Sequence, residues 1–169
     1  MQKWNSLSTS SHRLFRRISQ DRGQALVEFA VVLPVLMLVI LGILYFGRYE
    51  NYANQETQMA ENGARWASVN VNPSTTLSLQ NYIKSQASGE LLNGSSDVTT
   101  PVAVYIYYPT GSSNAIGNPV RVCVTATVSL PFLPATPSET IVQTATMRLE
   151  QAATNWTASA TPPSACPTS

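Results

Sequence analysis

The most prominent pattern in the chain is an uncharged apolar stretch close to its N-terminus. Residues 29–46 read FAVVLPVLMLVILGILYF, without a single Asp, Glu, Lys or Arg. As an α-helix this stretch is about 27 Å long, close to the ~30 Å hydrocarbon core of a bilayer. A core helix of a soluble protein rarely needs apolar side chains on every side. The pattern therefore predicts a transmembrane helix.

The main alternative for this stretch is a cleaved secretory signal peptide. The apolar core of such a peptide is usually about 7–15 residues long and ends at a small-residue cleavage site. Here the run is longer, and residues 45–49 read YFGRY where that site is expected. These two features favour a retained span over a signal peptide.

A stripe of aromatic and other residues continues beyond the span at alternating steps of four and three. This spacing indicates that the helix leaves the membrane and continues outside it. We expect it to stop at Asn72 and Pro73, because proline cannot donate to the helix and restricts its predecessor. The stripe packs either on the chain's own domain or on neighbouring subunits, and both can hold for different turns. Its members are Tyr45, Tyr49, Tyr52, Glu56, Met59, Gly63 and Trp66.

The rest of the chain changes its period and predicts a small α+β domain. Residues 75–92 are typical of one shorter amphipathic helix, and period-two alternation then marks strands over about 102–108, 120–130 and 140–150. Three antiparallel strands against helices form a small α+β unit. We expect five segments: a basic cytoplasmic leader (1–23), a transmembrane helix (24–47), its extracytoplasmic continuation (48–72), the α+β domain (73–150) and an Ala/Thr/Ser/Pro-rich tail (151–169).

Charge adds an orientation to this picture. Charged residues make up only 11% of the chain, yet residues 1–22 hold five basic side chains and one acid. Basic residues stay on the cytoplasmic side of a span, which predicts an inside N-terminus and residues after about 48 outside. The same cluster suits nucleic acid or anionic lipid, but no fold accompanies it to position bases. We therefore interpret it as a topology signal and expect no nucleic-acid partner.

The types of residue in the chain argue against a catalytic function. His12 is the only histidine, and it lies inside the basic leader. That excludes Ser-His-Asp and Cys-His catalysis and any zinc site built on several histidines. We expect no catalytic residues, no cofactor and no metal.

The two cysteines suggest a covalent link outside the membrane. Cys123 lies on the polar face of its predicted strand, and Cys166 lies in the tail. An oxidising exterior favours a disulfide between them, which would pin the tail to the sheet. The alternative is two unpaired thiols.

The residues just before the span carry a recognisable motif. Residues 22–29 read RGQALVEF, with Gly23 at the cytoplasmic edge and Glu28 five residues later, ahead of the apolar helix. This arrangement resembles a type IV prepilin processing site. The wider segment 22–48 resembles the N-terminal signature of TadE-like proteins, the minor pilins or pseudopilins of the Tad (Flp) pilus system. The sequence GARWA at 63–67 is similar to the family in looser terms.

The resemblance implies roles for particular residues. A membrane prepilin peptidase is expected to cut between Gly23 and Gln24, and Glu28, with Phe29 beside it, is expected to act in assembly by pairing with a neighbour's terminal amine. A carboxylate facing lipid is costly, and an ammonium partner offsets that cost. The simpler alternative is that Glu28 reaches the interface or serves the first helical turn. From its chemistry alone, Pro34 is expected to kink the span.

Together these observations predict a minor pilin that takes part in assembling a Tad/Flp-type pilus for adhesion or secretion. The expected partners are the prepilin peptidase, other Tad/Flp pilins and minor pilins, the inner-membrane assembly platform and the lipid bilayer. The expected location is a bacterial or archaeal cytoplasmic membrane, crossed once, with possible incorporation into an extracellular pilus. The sheet domain suggests an accessory or tip component instead of the repeating subunit. The alternatives are a permanently anchored extracytoplasmic binding module that keeps its leader, and an anchored exported enzyme.

Overall fold

The computed structural model describes residues 11–129 and 138–167, with backbone only for residues 11–22. Residues 1–10 of the predicted leader and the last two of the predicted tail lie outside this range. The described elements confirm the predicted α+β class, with one long helix followed by short helices and an antiparallel sheet. They are α1 (Ser11–Ser68), α2 (Leu79–Lys84), α3 (Gly89–Asn93), β1 (Val98–Tyr107), β2 (Pro119–Ser129) and β3 (Ser138–Arg148).

The chain divides into two units, the first ending at Phe46 and the second beginning at Gly47. In the first unit, most of the large apolar side chains from Leu26 to Phe46 lie exposed on the helix. Leu26 is 69% exposed and Leu41 is 39% exposed, while Leu33 is half-buried. Within the described part of the chain, this unit therefore has no core in which these apolar side chains could be buried. The one helix that is long and apolar enough to cross a membrane, within the described chain, is the Gly23–Ser68 part of α1.

The second unit is built around a three-stranded antiparallel sheet in the order β1-β2-β3. Alternate residues of the central strand β2 point into the core, as the alternation in the sequence predicted. The other face carries polar residues and Cys123. The buried members on the core face of β2 are Val120, Val122, Val124, Ala126 and Val128.

At Gly63, α1 closely approaches other elements of this unit. A Cβ atom placed on Gly63 would lie 2.6 Å from Cδ1 of Ile83 and 3.2 Å from Cγ1 of Val122. Both neighbours are fully buried, in α2 and β2 respectively. A larger side chain here would therefore force Ile83 and Val122 to shift within the close-packed core. The stripe on this part of α1 therefore packs on the chain's own domain.

The end of α1 differs from the predicted stop at Asn72 and Pro73. The helix ends at Ser68, and Asn70 then adopts a left-handed conformation with φ of 55°. Asparagine tolerates this region better than other non-glycine residues, because its short polar side chain bonds locally. The helix therefore ends through the conformation of Asn70, before the proline is reached.

Two backbone hydrogen bonds close this end of the helix. The N–H of Asn70 donates to the carbonyl of Ala67 (3.2 Å), and the N–H of Val71 donates to the carbonyl of Trp66 (2.9 Å). These are the two bonds of a Schellman motif with asparagine at its left-handed position. They satisfy carbonyl groups that the last helical turn would otherwise leave unpaired.

The single shorter helix predicted over 75–92 is wrong in one respect, because the segment forms two short helices. Helix α2 ends at Lys84, the hydroxyl of the next residue, Ser85, donates to the carbonyl of Tyr82 (2.7 Å), and α3 begins after Ser88. The N–H of Ser88 donates to Oε1 of Gln55 on α1 (3.3 Å). Hydrogen bonds made by the Ser85 hydroxyl and by Gln55 thus replace bonds that a continuous helix would form.

The tail, described to residue 167, has no regular secondary structure but follows a defined path. The indole N–H of Trp156, a buried residue of the main core, donates to the carbonyl of Ala67 (3.1 Å). Ser159 lies at the outer edge of β1, where it bonds both backbone groups of Ile106. Cys166 belongs to a second apolar cluster with Cys123, on the other face of the sheet. The tail therefore passes around the β1 edge from one face of the sheet to the other.

Candidate functional site: the N-terminal half of α1

The predicted processing site lies on α1 in open surroundings. A Cβ atom placed on Gly23 would meet nothing within 4 Å. Gln24, the next residue, is exposed. The described structure therefore leaves room for side-chain changes at Gly23 without disturbing other contacts.

The structure brings Gln24 and Glu28 together. Nε2 of Gln24 donates to Oε1 of Glu28 at 3.2 Å, an exposed contact between residues four apart on the helix. Side chains at this spacing lie on the same face, one turn apart. The carboxylate of Glu28 is thus held one turn from the residue that the sequence predicts as the mature N-terminus.

Phe29 and Pro34 lie farther along the same helix. Phe29 is 60% exposed and contributes to the apolar surface of the first unit. Pro34 lies inside α1, which continues on both sides of it. The kink expected at Pro34 stays a prediction.

Two polar pairs fix the first turns of α1 in the second unit. The guanidinium of Arg48 forms an ion pair with Asp97, which raises the pKa of Arg48. The hydroxyl of Tyr52 donates to the carboxylate of Glu90 on α3. Burial, together with this bond to Glu90, raises the pKa of Tyr52 to about 12. These pairs connect α1 to α3 and to the start of β1.

Glu56 is a carboxyl group buried without a partner. Its side chain is 0% exposed, and neither carboxylate oxygen has a hydrogen-bond partner among the described residues. Burial disfavours the charged form and raises the pKa of Glu56 from 4.5 to about 8. Glu56 is therefore predominantly protonated and neutral at pH 7.

Cys123 and Cys166 are bonded to each other as a disulfide, with Cα atoms 6.1 Å apart. Around it, the phenol of Tyr107 donates to the carbonyl of Pro167 (2.6 Å), and Nη1 of Arg121 donates to the same carbonyl (2.6 Å). The end of the described tail is thus held covalently and by two hydrogen bonds.

Metal-binding clusters are missing from the part of the chain that the structure describes. No group of three or more His, Cys, Asp or Glu side chains in that part is placed to hold an ion. The residues predicted from the sequence instead form a short linear set on α1, with Gly23, Gln24 and Glu28 within two turns.

Residues 23–65 match the family model of TadE-like proteins. This confirms the resemblance predicted from residues 22–48. The TadE-like match begins at Gly23 and stops inside α1, so that it includes none of the strands. It indicates involvement in the Tad pilus system and association with a membrane, and TadE-like proteins are not enzymes in general. No curated protein and no solved structure matches the chain.

Sequence reasoning placed the residues of the TadE-like segment but missed polar positions in the second unit. The pairing of Arg48 with Asp97 and the bonding of Asn70 join positions far apart in sequence. Glu56 was visible only as a polar member of a helical stripe. A glutamate on an otherwise apolar face is the one signal that could have marked it as buried.

Proposed function

We propose that this protein is a minor pilin that takes part in assembling a Tad/Flp-type pilus, and that a prepilin peptidase removes its basic leader. The observation that carries this proposal is the extent of the TadE-like match. It begins at Gly23, the residue before the proposed cleavage, and follows the helix through its apolar part to residue 65. A processing site joined directly to a retained span is what a pilin subunit requires.

The surroundings of Gly23 support the processing step. A peptidase must hold the substrate backbone extended, and glycine presents no side chain to obstruct that approach. Residues 23–32 are exposed, so that contacts inside the described chain do not shield the bond between Gly23 and Gln24. Cleavage there leaves the α-amino group on Gln24.

The contact between Gln24 and Glu28 supports the assembly step. In the unprocessed chain the Glu28 carboxylate accepts a hydrogen bond from the neutral amide of Gln24. After cleavage, an ammonium group on a neighbouring subunit would be a stronger partner, because it adds the attraction of opposite charges to the hydrogen bond. At the edge of the bilayer such pairing offsets the cost of the unpaired charge.

The proposed orientation follows from charge. The basic leader places the N-terminus in the cytoplasm of a bacterium or archaeon, and the second unit then lies outside. An exterior location also suits the Cys123–Cys166 disulfide. The proposed partners are the peptidase, other Tad/Flp pilins and minor pilins, the assembly platform and the bilayer.

Mass spectrometry of the chain, expressed with and without the peptidase, tests the processing step. With the peptidase present, the wild-type chain should begin at Gln24, and Gly23→Leu should stay full length. The matched control is Gly42→Leu, since a Cβ atom at Gly42 also meets nothing within 4 Å. That variant should be processed normally. A wild-type chain that keeps its leader in the presence of the peptidase would favour the permanently anchored binding module.

Counting pili in cells that carry Glu28 variants tests the assembly step. Glu28→Val should be processed and inserted but should impair assembly, because the partner amine loses its counter-charge. Glu28→Gln should fall between wild type and Glu28→Val. Glu50, an exposed glutamate of the same helix, supplies the control variant Glu50→Val. Wild-type numbers of pili in Glu28→Val would contradict the proposed role of this carboxylate.

A further inference from the structure

The two edges of the three-stranded sheet differ in how their backbone groups are paired. At the β1 edge, the N–H of Ile106 donates to Oγ of Ser159 (3.0 Å), and the carbonyl of Ile106 accepts from the N–H of Ser159 (2.6 Å). Helices α2 and α3 lie near β1 and contribute Leu79, Ile83 and Leu91 to the core on one face of the sheet. The tail thus covers this edge at Ile106.

Strand β1 carries further features that prevent pairing with another strand. Pro101 lies within it, and its register with β2 shifts between Val98 and Thr100 and again between Thr100 and Ala103. Proline and bulges are common protections of edge strands, because they remove a donor or twist the backbone away. β1 is therefore a closed edge.

Among the described residues, strand β3 differs from β1 in these features. Every residue from Ser138 to Arg148 pairs with β2 without a shift in register. Residues 140–147 read TIVQTATM, with no charge, no proline and no glycine. Within residues 11–129 and 138–167, no hydrogen bond reaches the side of β3 that faces away from β2. A long, regular, uncharged edge of this kind is a template for another strand.

We propose that the outer edge of β3 pairs in the antiparallel direction with β3 of a second copy of this chain. Charge selects the direction. Glu139 and Arg148, which lie near opposite ends of the strand, are its two charged residues. Antiparallel pairing brings Glu139 of each copy to the end that holds Arg148 of the other, whereas parallel pairing brings like charges together. The pairing needs only two folded copies, so that it does not rest on the pilus role.

A two-fold pairing centred on Thr144 also matches side chains. Ile141 then lies opposite Met147 of the second copy, and Val142 lies opposite Thr146. Ile141 and Met147 belong to the core face of the sheet, so that the apolar core continues from one copy to the other. Cross-strand pairs of β-branched and apolar residues stabilise sheets.

The test places a lysine at the centre of this edge. Thr144 is exposed, so Thr144→Lys should leave each copy folded while setting two ammonium groups opposite each other. The control is Thr100→Lys, the same change at an exposed threonine of the covered strand β1. Full-length chains in detergent are compared by light scattering for mass and by amide hydrogen exchange over β3 at several protein concentrations.

The expected result is a wild-type dimer in which protection of the β3 amides rises with protein concentration. Thr144→Lys should weaken this dimer by about tenfold or more, because like charges face each other across the pair. Thr100→Lys should behave as wild type. Exchange over β3 that is independent of wild-type concentration, or unchanged in Thr144→Lys, would overturn the proposal. Either result would mean that β3 does not pair with a second copy, and a strand of another protein would become the candidate partner.

Discussion

Apolar side chains are mostly exposed in the part of α1 before Gly47, whereas the part after it buries them on one face. In the first part Leu38 is 64% exposed, and the large apolar side chains next to it on the helix are also exposed. In the second part Ala64 is 0% exposed, and the buried residues lie on one face only. The opposite face of that part is exposed and polar: it carries Asn51, Asn54, Gln58 and Asn62.

This difference shows that the two parts of α1 are suited to different surroundings. The amphipathic part satisfies its apolar face against the chain's own sheet and α2, as the close approach at Gly63 illustrates. The first part has no such interior among the described residues, and its apolar surface requires lipid or other helices. Substitutions in the two parts should therefore change different properties.

The largest expected effect separates the two parts with one kind of substitution. Ala64→Asp should lower the free energy of unfolding of the second unit by about 4 kcal/mol or more, because it buries a charge without a partner. Leu38→Asp should leave that unit folded but disfavour insertion by about 3 kcal/mol, the cost of Asp near the centre of a membrane helix. Thermal unfolding and membrane fractionation measure the two properties.

The matched neutral variants are Ala64→Ser and Leu38→Ala, which should each have a much smaller effect on the same property. The division between the two parts of α1 would be wrong if Leu38→Asp unfolded the sheet, or if Ala64→Asp abolished membrane insertion without unfolding it.

The next effect concerns the disulfide, which stabilises only the second unit. Cys166→Ser should lower its free energy of unfolding by about 3–4 kcal/mol at most, since the bond closes a loop with a sequence separation of 43. The hydrogen bonds of Tyr107 and Arg121 to Pro167 should keep the tail partly in place. Alkylation without reductant should leave both wild-type cysteines unmodified. Two readily labelled thiols would exclude the bond.

A smaller effect is expected at Asn70, where the second unit joins the end of α1 to the tail. Its Oδ1 accepts from the N–H groups of Thr154 and Asn155 (2.9 Å each), and its Nδ2 donates to Oγ1 of Thr154 (2.8 Å). Asn70→Ala should lower the free energy of unfolding by roughly 2–3 kcal/mol, because the three side-chain hydrogen bonds are lost and alanine is strained at positive φ.

Asn70→Gly separates these two causes. Glycine adopts positive φ without strain, so this variant should recover about 1 kcal/mol relative to Asn70→Ala while still lacking the side-chain bonds. Urea denaturation of both variants gives the difference. Equal stability of the two would show that backbone strain contributes nothing at this position.

The last effect is a pH dependence in the stability of the second unit, which contains Glu56. The pKa of Glu56 is raised to about 8 in the folded unit, above its ordinary value of 4.5. The contribution of neutral Glu56 to the free energy of unfolding is complete below pH 4.5, and it is lost as pH rises from there to about 8. The loss is at most about 1.4 kcal/mol per pH unit.

Glu56→Gln should remove this slope, since an amide does not titrate. Glu61→Gln, at an exposed glutamate five residues later, should retain it. The free energy of unfolding measured between pH 5 and pH 8 checks both variants. A slope that survives in Glu56→Gln would assign the pH dependence to another group.

Much of the fold could be predicted because its signals are local. The alternation over residues 120–130 predicts β2 as a strand with one buried face, and Val120, Val122 and Val124 are buried there. The fold class and three antiparallel strands are confirmed. The segment 75–92 was predicted less well, because Ser85 and Ser88 interrupt it through bonds with specific partners. Periodicity alone does not reveal such competition.

The candidate site divides in the same way. Gly23, Glu28 and the apolar run are close together in the chain, so that a motif with a fixed spacing was enough to find them. Asn70 and Asp97 acquire their roles from residues 84 and 49 positions away, such as Thr154 and Arg48. No pattern in the neighbouring sequence indicates those partners.

By itself, the sequence determined the apolar helix, the motif at its start and the face that each strand buries, since these depend on residue type and spacing. Only the tertiary structure decided that the tail closes the β1 edge, that the β3 edge lacks hydrogen-bond partners among the described residues, and that Glu56 is buried without a partner. The physical reason is that burial and hydrogen-bond pairing are set by which distant segments meet. Residue type and spacing are local properties, whereas those meetings belong to the folded unit.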